Sequence, residues 1–123
     1  MSAPAATPAT DAMALVLAAL EGAGIGASRD AGAFYPQPVG VLVGLPALVS
    51  RLLAASTFDV PVLIVSGDPL NSIQRVDRLY ALADECAEAL RESAYRTSSW
   101  RSAPNAEPVP ALEITVTVTV NGG

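Results

Sequence analysis

Residues 111–120 read ALEITVTVTV, with Leu112, Ile114, Val116, Val118 and Val120 in strict alternation with Glu113, Thr115, Thr117 and Thr119. Successive side chains of a strand point to opposite faces, so this run predicts a strand with one buried and one wetter face. Helical patterns upstream can supply the cover. The clearest spans Ser72 to about Ser93, where Ile73, Val76, Leu79, Tyr80, Ala83, Cys86, Ala87 and Leu90 recur at helical spacing behind a capping pair, Asn71 and Gln74. An earlier helix is expected after Thr10 or Asp11 as N-cap, with Met13, Val16, Leu17 and Leu20 on its apolar side and Gly22 and Gly24 ending it.

Between the helices, Ile25 to Gln37 reads as a connecting loop, with room for a short strand near Ala33 to Tyr35, and Val39 to Leu45 as a strand covered on both faces. Residues Ala47 to Ser66 admit two readings. Leu48, Val49, Leu52 and Leu53 fit a short helix before a strand, but the whole stretch also fits one long bent strand or a hairpin arm reaching beyond the sheet. The second is favoured, because Pro46 alone separates it from the preceding strand and that distance suits a tight turn between antiparallel neighbours. Pro61 has no N–H to give a ladder, which places it at a strand start, a bulge or an edge. Gly67, Asp68 and Pro69 make a turn, and Tyr95 to Trp100 is a further strand before a proline-rich loop, Ser102 to Pro110.

The resulting expectation is an α+β domain, two helices packed on a mixed, mostly antiparallel sheet in the order α-β-β-α-β-β. Residues 1–9, almost all Ala, Pro, Ser and Thr, are expected to form a flexible arm, and residues 10–123 a single domain. A chain of 123 residues builds one core, while a hydrophobic content of 51% and a mean hydropathy of +0.41 leave apolar surface that an oligomer would absorb. Arg51, Asp59, Asp68 and the prolines interrupt each apolar stretch before it reaches membrane-spanning length, and the first ten residues lack the basic start of a signal peptide. No membrane association is expected.

Chemistry is sparse. The seven basic residues are all Arg, there is no His, and the net charge is −5, which argues against phosphate-driven nucleic-acid binding and removes the commonest general base and metal ligand. Cys86, the one cysteine, lies in the apolar helical stripe and reads as a buried thiol. The glycines at 22, 24 and 26 follow a helix where a dinucleotide fingerprint would precede one, so they read as helix termination. Asp84, Glu85 and Glu88 read as a solvated helix face, and Trp100, between Arg96 and Arg101, as a packing or interface anchor rather than a base-stacking platform. No catalytic residue, cofactor or metal is expected. The residues expected to make protein contacts are Arg51, Leu52 and Leu53 on the arm, and Arg96 and Trp100 near a sheet edge.

In this order, the apolar strand PVGVLVGLP, the stretch VSRLLAASTFDVPVLIVSGDP, the helix NSIQRVDRLYALADECAEALRES and the closing ALEITVTVTV resemble the tail-terminator (neck) proteins of long-tailed bacteriophages, over about residues 11–120. The resemblance implies a non-enzymatic ring, usually a hexamer, in the virion neck at the head–tail junction, assembled in the host cytoplasm. Such a ring caps the tail tube, stops its polymerisation and joins it to the head-completion protein, with DNA passing through the hole unbound. Six subunits at −5 each carry −30, a sign suited to a conduit that must not grip its cargo. RLLAAS departs from the more polar, Gly-containing tip expected of the family. Two other readings suit the same elements: a head-completion or tail-joining connector subunit, and a ferredoxin-like small-molecule-binding regulatory module.

Overall fold

The computed structural model describes residues 7–30, 34, 36, 39–52, 54–67 and 73–121. In chain order these form helix α1 (Pro8–Gly22), strands β1 (Val39–Val43), β2 (Ala47–Arg51) and β3 (Ala55–Ser66), helix α2 (Ile73–Leu90), and strands β4 (Arg96–Trp100) and β5 (Val109–Asn121). The fold is α+β, with two helices and a five-stranded antiparallel sheet. The order is therefore α-β-β-β-α-β-β rather than α-β-β-α-β-β, because the stretch from Ala47 to Ser66 is the hairpin arm that the favoured reading allowed, and not one long strand or a helix followed by a strand. Its turn closes where the Leu52 N–H donates to the Ala55 carbonyl at 2.8 Å.

The sheet runs β1-β3-β5-β4, and β2 also pairs with β3. Both β1 and β2 are antiparallel to β3, with Val39 opposite Ser66, Val43 opposite Val62, Ala47 opposite Asp59 and Arg51 opposite Ser56. The two strands therefore run in the same direction along one edge of β3, and the expected tight turn at Pro46 is absent. Gly44 to Pro46 is instead a break in an otherwise continuous edge, and Pro61 lies opposite it. The Gly44 N–H donates to the Pro61 carbonyl at 2.7 Å, while the N–H that Pro61 lacks would have pointed into the break. A central strand tolerates this proline because the ladder beside it is already interrupted. Contrary to the expected mixed sheet, all the strand pairs are antiparallel; a parallel bridge, Ser28 to Leu42, lies outside the strands.

Both helices cover one face of the sheet. Ala12, Met13, Val16 and Leu20 of α1 and Leu79, Ala83, Cys86 and Ala87 of α2 pack on Val41 and Val43 of β1, on Phe58, Val60, Val62 and Ile64 of β3, and on Leu112, Ile114 and Val120 of β5. Each fully buried Leu or Ile here contributes roughly 1.5–3 kcal/mol relative to exposure. The alternation read at 111–120 is thus the helix-covered face of β5. The opposite face is divided. At one end Phe34 packs edge-to-face on Trp100, ring centres 5.2 Å apart, and closes a small second cluster over Leu42, Val65 and Ala111. At the other end the cross-strand pairs are polar: the Thr57 and Thr119 hydroxyls lie 3.0 Å apart, and the Thr117 hydroxyl donates to Asp59 Oδ1 at 2.7 Å.

Helix α1 begins earlier than Thr10 or Asp11 would allow. Thr7 is the N-cap and Pro8 occupies the first turn, where its missing N–H costs nothing. The Thr10 N–H donates to Thr7 Oγ1 and the Thr7 N–H to Thr10 Oγ1, a reciprocal cap. Residues 7–9, expected in a flexible arm, therefore belong to the helix start, and residues 1–6 lie outside the described residues. At its far end the helix closes through Gly24 at φ +80°, with the Ile25 N–H reaching back to the Leu20 carbonyl. Helix α2 ends in the same way through Arg91 at φ 57°, with the Glu92 N–H on the Ala87 carbonyl. The expected cap at Asn71, the turn at Asp68 and Pro69, and positions 33 and 35 of the expected short strand lie outside the described residues; Phe34 between them is not in a strand.

Candidate interaction surface

A strand whose outer N–H and C=O groups have no partner is a template for another chain. Along the β1/β2 edge, the β1 half is occupied: the Ser28 N–H donates to the Val41 carbonyl and the Val43 N–H to the Ser28 carbonyl, at 2.9 and 2.7 Å. Nothing comparable lies on β2 among the described residues. All five residues of β2 are exposed. The large apolar side chains there and beside it stand in solvent, with Leu45 at 84%, Leu48 at 58% and Leu52 at 72% exposure, and Val49 is exposed with them. The bulge at Val49 lets Leu48 and Arg51 both stand in register with the helix-side residues of β3, Phe58 and Ser56. Beneath the arm they border a hollow of about 380 Å³ whose other wall is the start of α1, Pro8 and Ala9.

The residues expected at contacts fall into two groups. Arg51 and Leu52 are on the arm and exposed, and Leu53 lies outside the described residues. Arg96 and Trp100 are on β4, at the opposite edge of the sheet, so the structure does not bring the two groups together. Arg96 is held by Glu113 of the neighbouring strand, with Nη2 and Nε donating to the same Oε2 at 2.6 and 3.0 Å. Trp100 is half-buried against Phe34, so packing accounts for it.

A second exposed surface was hidden in the sequence by its own regularity. Ile73 and Tyr80 belong to the apolar stripe by spacing, yet Ile73 is 80% exposed and Tyr80 is exposed too. The residues α2 buries, Leu79, Ala83, Cys86 and Ala87, lie round to one side of them. Ile73, Tyr80 and the acidic residues Asp77, Asp84 and Glu88 follow one another at three- and four-residue spacings and so share a single solvent-facing line. Asp84 accepts a hydrogen bond from Tyr95 Oη at 2.7 Å, which raises the phenol pKa above its ordinary value.

Reactive groups are few. Cys86 is buried, and its desolvation, with Glu85 adding, pushes the thiol from 9.0 up to about 11. Among the described residues no three His, Cys, Asp or Glu side chains cluster as a metal site, and no helix is long and apolar enough to cross a membrane. Comparison of the chain with protein-family models, with curated proteins and with solved structures finds no match.

Proposed function

We propose that this chain is a non-enzymatic structural subunit of a long-tailed phage virion, a tail-terminator-like protein that works by assembling into a ring. Six copies encircle the DNA path at the neck, cap the tail tube and present their other side to the head-completion protein. One observation carries the reading. The exposed edge strand β2, with Leu45, Val49 and Leu52, forms an apolar arm at the edge of the sheet, and such surface is characteristic of a subunit awaiting a neighbour. The hairpin arm beyond the helix-covered sheet, and the charge of −5, agree with a ring around a polyanion.

Light scattering coupled to size exclusion, with electron microscopy of the same fractions, tests it. Rings that co-sediment with the tail-tube protein are the expected result. A protein that stays monomeric at all concentrations overturns the reading.

A further inference from the structure

The hollow beneath the arm is lined mainly by apolar side chains, Pro8, Ala9, Leu48 and Phe58, with the hydroxyl residues Thr7 and Ser56 and the charged Arg51 beside them. Residues 39–58 hold a single charged side chain, Arg51, and it has no ion-pair partner among the described residues. The exposed line on α2 is its complement: two apolar side chains, Ile73 and Tyr80, interleaved with three carboxylates, Asp77, Asp84 and Glu88. An amphipathic helix laid in an apolar groove, with opposite charge at the rim, is a recurrent mode of association.

We propose that the hollow beneath the β2–β3 arm receives the Ile73–Asp77–Tyr80–Asp84 face of α2 from a second copy of this chain. Ile73 or Tyr80 fills the apolar floor, and Arg51 meets the carboxylates of the neighbour. The two halves of this contact are different surfaces of one chain, so the association is head-to-tail: each copy offers an arm to one neighbour and a helix to the other, a contact that cannot stop at a two-fold dimer and that gives a ring when the rotation between copies closes. This rests on the ring reading above and specifies its subunit contact.

A complementation experiment tests it with the full chain. Leu48→Arg blocks the hollow, and Ile73→Arg with Asp77→Arg blocks the helix face; all three sites are exposed, and the folding of each variant is checked by its melting curve. Each variant alone is expected to be monomeric, and an equimolar mixture to form one-to-one dimers that grow no further, since each variant keeps the half the other has lost. Arg51→Glu, in an otherwise unchanged chain, is expected to raise the concentration at half-assembly at least about ten-fold, the loss of one interfacial charge contact. Rings from either blocked variant overturn the inference and leave the ring reading standing, as does a mixture that stays monomeric while the unmodified chain assembles. An unmodified chain that never assembles overturns both.

Discussion

Strands β1 and β2 are each five residues long, are rich in Val and Leu, and run in the same direction along the same edge of β3. Yet Val41, Leu42 and Val43 are buried and no residue of β2 is. Their own chemistry does not explain it. What differs is the cover: β1 has α1 and the sheet core on one face, Phe34 on the other and Ser28 along its edge, whereas β2 lies beyond Phe34 and Ser28 and is separated from the start of α1 by the hollow. Burial among the described residues is decided by what their neighbours reach, and on the arm they reach no further than the hollow between Leu48 and the start of α1.

Three substitutions would break or sharpen this contrast. The largest effect is expected at Val43, 1% exposed: Val43→Asp puts an unpaired carboxylate in the core and should cost about 4 kcal/mol or more, enough to leave the chain largely unfolded by circular dichroism. Phe34→Ala is expected to cost about 3 kcal/mol in denaturant unfolding, and to red-shift the fluorescence of Trp100 as its edge-to-face partner is lost and that end of the sheet becomes as bare as β2. Leu48→Arg should change unfolding free energy by no more than about 0.5 kcal/mol. A loss at Leu48 comparable with that at Val43 would mean that β2 is covered within the single chain, and the contrast would fail.

Much of the fold was legible where a pattern has one interpretation. The alternation at 111–120 fits only a half-covered strand, and β5 extends it by two residues before and one after. The spacing from Ile73 to Leu90 fits only a helix, and α2 spans those residues, ending before the expected Ser93 because Arg91 turns to φ 57°. At 47–55 the spacing of Leu48, Leu52 and their neighbours suits both a helix and an arm; Pro46 favours the arm, which the structure has, although the tight turn expected there is absent and the pairing with β3 makes the choice. The start of α1 lies earlier than Thr10, at signals the sequence does carry, Thr7 followed by Pro8; a proline among Ala and Thr suits a disordered arm and a first helical turn equally. Ile73 and Tyr80 show why the contact surface was harder to read than the core. Periodicity reports which residues share a helix face, not how much of that face the sheet underlies. Arg51 and Leu52 could be singled out as arm residues, whereas their neighbours Leu45, Leu48 and Val49, absorbed into strand or helix patterns, could not.

The buried thiol has a consequence for durability. Its desolvation keeps Cys86 in the thiol form at neutral pH, and the side chain is shielded from solvent. Oxidants act on thiolate, and a disulfide between two chains needs one to attack, so Cys86 in the folded chain reacts slowly with oxidants and with other disulfides. Cys86 is the one cysteine of the sequence, so a disulfide within the chain is excluded, and its burial in the folded chain disfavours one between copies.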